Sequence, residues 1–137
     1  MPPADTRSSK AIIEDYVAAL QRSDADAIRD SFAEDAEWCL TGELPLSGTW
    51  RGRDVIFNDF LSRALASYEE GSITFEVTRL IGEGDDVALE WITRGRSKSG
   101  APYENHYLGL FTVRNQKIAS IREYLASAQA AHELFAA

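Results

Sequence analysis

The side chain best placed to do chemistry in this sequence is Glu123, within the stretch IASIREYLA. Read as a strand, that stretch puts Ile121, Glu123 and Leu125 on one face and Arg122 and Tyr124 on the other. A carboxyl group set among apolar neighbours is disfavoured as an anion, so its pKa rises and it becomes a usable general acid or base near neutral pH. Glu90 and Arg94 share one face of a second strand-like stretch, VALEWITRGRS, whose other face carries Val87, Leu89, Trp91 and Thr93. By alternation alone that apolar odd set should face inward. The two histidines, His106 and His132, stand far apart with no HxH or HExxH spacing, and Cys39 is the only cysteine. No metal site, disulfide or cofactor is therefore expected. His106 falls opposite Asn105 and Tyr107 on its strand and is expected outside. The segment GEGDD (82–86) reads as a turn, not a phosphate cradle.

The elements that must position these groups can be read in order. Residues 1–8 are polar with two prolines and read as a loose tail; 9–137 read as one domain. Ile13, Tyr16, Val17 and Leu20 form the apolar stripe of a first helix. Ser23-Asp24 ends it and caps a shorter helix bearing Ile28 and Phe32. Ala36–Leu40 is a short strand candidate, and Thr41–Arg53 a loop carrying Trp50. A third helix with Ile56, Phe57, Phe60, Leu61, Ala64 and Leu65 on one side is expected to run until Gly71. There the apolar period changes from 3.6 to 2, giving strands around Ile73–Thr78, Val87–Ser97, Tyr103–Val113 and Ile118–Leu125. The last two meet across Arg114–Lys117. Residues 127–136 read as a terminal helix. Helices followed by a run of strands predict a segregated α+β domain with an antiparallel sheet.

Composition narrows the function classes. A chain of 137 residues with 45% hydrophobic and 26% charged residues is one soluble domain's worth. The net charge of −8 argues against nucleic acid or an anionic membrane as partner. No apolar run reaches the roughly 18–20 residues of a membrane span, and the first ten residues lack the apolar core of a secretory signal. Cytoplasm is the expectation.

The stretches DYVAAL (15–20), DADAI (24–28), FAEDAEW (32–38), SGTWRGRD (47–54) and LGLFTVRNQKIASIREYL (108–125) together resemble the nuclear transport factor 2-like superfamily. That group takes in ketosteroid isomerases, limonene epoxide hydrolase and SnoaL-like polyketide cyclases. The resemblance covers roughly residues 10–135. It implies a cone-shaped, cystatin-like fold in which a strongly bent sheet wraps around the helices and leaves one deep apolar pocket. It also implies homodimers through the outer sheet face.

Residue by residue, the resemblance points away from the better-known members. Tyr16 stands where the isomerases place an oxyanion-hole tyrosine, but their two aspartates fall at Leu40 and Gly109, which cannot move a proton. The epoxide hydrolase Arg-x-Asp reads Ile92-x-Arg94, and its water-holding tyrosine and asparagine read Trp38 and Leu40. Only the last-strand acid is matched in kind, by Glu123, and this suits the SnoaL-like group. The family register turns Ala88, Glu90, Ile92 and Arg94 inward and leaves Val87, Leu89 and Trp91 to an outer, dimer-forming face. Trp38, Leu40, Trp50, Phe57, Phe60, Glu90, Ile92, Asn105, Tyr107 and Leu125 are then expected to line the pocket.

The expectation is a cofactor-free isomerase, cyclase or lyase acting on a small hydrophobic carbonyl compound. Glu123 would shuttle the proton, with Tyr16 or Arg94 stabilising the enolate oxygen. The rivals are a non-catalytic binder of a hydrophobic ligand, and a dimeric interaction domain exposing Val87, Leu89 and Trp91.

Overall fold

The computed structural model describes residues 7–136; most of the expected N-terminal tail lies outside them. Six strands form one curved, unclosed sheet in the order β2-β1-β6-β5-β4-β3, so the chain has the mixed α+β architecture expected. Its helices pack on the concave face. One detail departs from a purely antiparallel sheet: β1 (Phe32–Leu40) runs parallel to β6 (Lys117–Leu125).

Helix α1 (Ser9–Gln21) starts where the Ser8 side chain accepts a hydrogen bond from the Ala11 amide, and it buries Ile12, Ile13, Tyr16 and Ala19. Asp24 caps α2 (Ala25–Asp30) in the same way, through the Ala27 amide. Phe32 was expected on that helix but begins β1, fully buried, because its ring is the centre against which Tyr16, Trp38 and Phe57 pack. The glycine-rich stretch expected to be a loop contains a short strand, β2 (Gly48–Arg51), paired with β1.

The third helical region has α-helical ends, α3 (Arg53–Val55) and α4 (Ser62–Ala66), around a π-helical middle, Ile56–Leu61. The wider turn lets Ile56, Phe57 and Phe60 all pack on the core. It ends at Ala66, short of Gly71. The chain then turns inward and Tyr68 bridges to Ser97.

Strands β3 (Thr74–Glu83), β4 (Asp86–Arg96), β5 (Pro102–Arg114) and β6 form an antiparallel run. The β5–β6 turn holds Asn115 and Gln116, both at positive φ (52° and 62°), the geometry of a two-residue hairpin turn. Helix α5 (Ala128–Ala136) folds back against β5 and buries Ala131 and Leu134. No helix among the described residues is long and apolar enough to cross a membrane.

The register of β4 overturns the inward placement of its even-numbered residues. Val87 and Leu89 lie in the main core and Trp91 packs against it. Glu90 and Arg94 are exposed, and Ile92, although buried, takes no part in the core. Simple alternation reads this strand correctly, since burying the apolar face of Val87, Leu89 and Trp91 within one chain outweighs the family register.

Candidate active site

On β5 every odd residue from Tyr103 to Val113 faces the concave side, and on β6 Ile121 and Glu123 join them. Glu123 sits at the middle of one rung, between Leu40 on β1 and Gly109 on β5. These are the two positions at which the resemblance placed the isomerase aspartates. Glu123, the one acid that the resemblance matched in kind, therefore occupies the strand between them.

Glu123 is 7% exposed. Its Oε1 accepts a hydrogen bond from the Trp38 indole nitrogen at 3.1 Å. Burial pushes its carboxyl pKa up to about 7, and the indole donor works against that rise without cancelling it. Among the described residues its Oε2 has no hydrogen-bond partner. Among the described residues, Arg53 Nε is the only side-chain nitrogen or oxygen both sealed and unpartnered, so Oε2 keeps some accessible surface. By the same reasoning the Tyr16 hydroxyl is unpartnered but not sealed. Burial first, and then the neighbouring Glu123 charge, raise the Tyr16 pKa, so this phenol stays an O–H donor.

Rings pack around the indole that holds the carboxyl group. Phe60 packs against both Trp38 and Trp50, with centroids 5.3 Å apart in each case. Tyr16 packs against Phe32 and Phe111 at 5.6 and 5.8 Å. Leu40 is buried, and Trp50, Phe57 and Leu125 are half-buried and packed against the same core. Two clefts are prominent on the surface, of about 350 and 240 Å³, and neither is lined by Glu123. The deep pocket expected at the carboxyl group is thus not one of these two clefts.

Farther along the same face, Asn105 and Tyr107 are buried beside Tyr103 and Tyr68. The Tyr103 and Tyr107 hydroxyls are 2.6 Å apart, Asn105 Nδ2 donates to Tyr103 at 3.0 Å, and Trp91 stacks on Tyr107 at 5.3 Å. Tyr103 and Tyr68 are absent from the residues picked out by sequence. Tyr103 shares the parity of Asn105 and Tyr107 and could have been found; Tyr68 lies in SYEEGS, where no periodicity reveals it.

Arg94 does not join this site. It lies on the exposed face of β4, bonded to Glu76 at 2.8 Å and Glu104 at 2.7 Å. Glu90, on the same face, accepts a bond from the Thr78 hydroxyl. Both were expected at the pocket, and the β4 register sends them out. His106 is exposed, and Cys39 is a half-buried free thiol. Among the described residues no three His, Cys, Asp or Glu side chains converge in a way that could hold a metal ion.

Residues 13–121 match the model of the SnoaL-like domain family. Among solved structures, an NTF2-like protein from Burkholderia xenovorans is 29% identical, covering 94% of this chain and 99% of its own, with a TM-score of 0.71. One from Burkholderia thailandensis is 24% identical, covering 88% and 92%, with a TM-score of 0.79. TerC, co-crystallised with polyporic acid, is 22% identical, covering 95% and 100%, with a TM-score of 0.79. A search of curated proteins found no match. With the family model spanning most of the chain and the fold shared by these structures, the protein belongs to the SnoaL-like domain family of the nuclear transport factor 2-like superfamily.

Proposed function

We propose that this protein is an acid–base enzyme that moves a proton on a small hydrophobic carbonyl compound, as an isomerase, cyclase or lyase does. The observation that carries the reading is Glu123: a buried carboxyl group, its pKa pushed up by burial to about 7, with one oxygen held by Trp38 and the other without a partner among the described residues. As a carboxylate, Oε2 would take a proton from the carbon next to the carbonyl group. The C–H electron pair would move into an enolate, whose oxygen would accept a hydrogen bond from the Tyr16 phenol. Protonated Glu123 would then return the proton to the same or another carbon. The surrounding rings would exclude water and favour a flat substrate small enough to slip between them.

The test needs no knowledge of the natural substrate. 2-Acetylnaphthalene in D₂O would be followed by proton NMR for loss of its methyl protons to exchange. The protein should accelerate exchange, and Glu123→Gln should remove roughly a hundredfold or more of that acceleration, the usual contribution of a positioned base. Equal rates for the two proteins, or a wild-type rate at the buffer background, would refute this reading.

A second copy of the chain is the proposed partner. The outer face of the sheet exposes Ile81, Leu108, Leu110 and Tyr124. Arg79, Glu90 and Arg122 lie in the same two rungs, so both charge signs are available for a self-complementary contact. This is the face opposite to Val87, Leu89 and Trp91, which their own core already covers.

A further inference from the structure

The chain carries three tryptophans, and one of their indole nitrogens donates to a group that can ionise. Trp50 donates to the Leu46 carbonyl and Trp91 to the Thr93 hydroxyl, whereas Trp38 donates to Glu123 Oε1 at 3.1 Å. That bond crosses a rung of the sheet. Trp38 pairs in register with Ile121 on β6 and Glu123 pairs with Leu40 on β1, so the indole reaches diagonally along the concave face to meet the carboxyl group. Glu123 has several free torsions, and its side chain makes no other hydrogen bond among the described residues. The direction of the carboxyl group is therefore set by this one donor.

Ring packing holds the donor in place. Trp38 is 6% exposed. It stacks on Phe32, with centroids 6.1 Å apart and planes 10° apart, and it packs against Phe60 at 5.3 Å and 54°. Phe32 belongs to the same strand as Trp38, but Phe60 comes from outside the sheet. Phe60 also packs on Trp50, the cross-strand partner of Trp38 on β2, so one ring spans both tryptophans.

The reach of Phe60 depends on the π-helical turn. Ile56–Leu61 is the only π-helical segment among the described residues. On an α-helix, residues three apart lie about 60° apart around the axis, which would aim Phe57 and Phe60 at much the same neighbour. The wider turn spreads them. Phe57 meets Phe32 edge-on at 5.2 Å, while Phe60 meets Trp38 and Trp50. Phe60 is buried, and Asn58 and Asp59 in the same turn face solvent. Single π-helical turns inside α-helices are rare and recur at functional sites.

We propose that Phe60 is a positioning residue for Glu123: the π-helical turn sets its ring against Trp38, and the indole so held engages Oε1 and leaves Oε2 as the oxygen that exchanges protons. This rests on the acid–base reading for the identity of the base, and it adds the element that orients it.

The experiment follows the Trp38 indole N–H signal of ¹⁵N-labelled protein, identified as the one that Trp38→Phe removes. The titration runs from about pH 5 to about pH 9, across the value of about 7 to which burial pushes Glu123. In wild type the signal should move as Glu123 ionises, and in Glu123→Gln it should stay still. Phe60→Leu, which keeps apolar bulk and removes the ring, should reduce the movement severalfold. Phe57→Leu removes a ring of the same turn that meets Phe32 rather than Trp38, and it should keep most of the movement. In the proton-exchange assay Phe60→Leu should lose roughly tenfold or more of the acceleration, as expected when a base is misplaced. Should Phe60→Leu fail to fold, Phe60→Met, whose flexible chain fills irregular gaps, takes its place with the same expected results. A movement undiminished in the Phe60 variant, one reduced as much in Phe57→Leu, or none in wild type would each overturn the proposal. The indole signal and proton exchange are separate readouts. A protein without exchange activity whose Trp38 signal depends on Phe60 in this way would refute the acid–base reading and leave the orientation of the carboxyl group by Phe60 standing.

Discussion

Replacing Glu123 by glutamine should make the protein more stable at alkaline pH and leave it nearly unchanged in acid. Between its ordinary value of 4.5 and about 7, the buried carboxyl group holds a proton that the unfolded chain has already released. The contribution of the protonated group to stability is complete below about pH 4.5 and is lost as pH rises through about 7. At 1.36 kcal/mol per pH unit, that interval corresponds to roughly 3 kcal/mol. Glutamine has the same shape, keeps an oxygen for the Trp38 indole and never ionises. Urea denaturation followed by tryptophan fluorescence, for both proteins from about pH 4 to about pH 8, isolates the effect, because every other titrating group cancels in the difference. The variant should match wild type within about 0.5 kcal/mol at the acid end and exceed it by roughly 3 kcal/mol at the alkaline end, or about 10 °C in Tm. A difference that stays constant across the range would mean that Glu123 titrates as an ordinary solvated carboxylate. The argument for it as a neutral-pH acid or base would then fall. A stabler but inactive variant is the expected signature of a functional group held at a cost to the fold.

Three further changes test the surroundings. Trp38→Phe removes the only donor among the described residues to the Glu123 carboxyl group, so the carboxyl pKa should climb above about 7, seen as an upward move of its side-chain NMR titration and of the alkaline-rising limb of proton exchange. Gly109→Ala would bring a methyl group within 2.8 Å of Phe111 Cε1 and 3.0 Å of Trp91 Cζ3, two rings with little freedom to retreat. It should cost about 1–3 kcal/mol in urea denaturation; a neutral result would mean that the wall beside Glu123 is looser than its packing implies. Leu110→Lys puts a charge at the centre of the exposed outer face, where leucine is 43% exposed. Analytical ultracentrifugation should show wild type as a dimer and the variant as a monomer with an unchanged fold, whereas a monomeric wild type would remove the proposed interface.

The sequence alone settled the architecture, because local rules carried it. The stripe of Ile13 and Tyr16 shows a helix facing a core, the alternation from Ile73 onward shows strands, and Asn115-Gln116 between two apolar runs shows a hairpin. It also settled that Glu123 shares a face with Ile121, since parity along one strand needs no long-range information. What it could not settle is which partner each strand meets. The outward turn of Glu90 and Arg94 depends on whether Trp91 finds its cover within the chain or beyond it, and only the stacking of that ring on Tyr107 answers this. Phe32 left the helix its spacing suggested because three aromatic rings from distant segments converge on it. The tyrosine cluster is the clearest case: Tyr68, Tyr103 and Tyr107 become one polar unit through a bridge between residues 68 and 97 and an amide turned by Ser127. Those contacts join residues tens of positions apart, and periodicity, which reports only near neighbours, carries no trace of them.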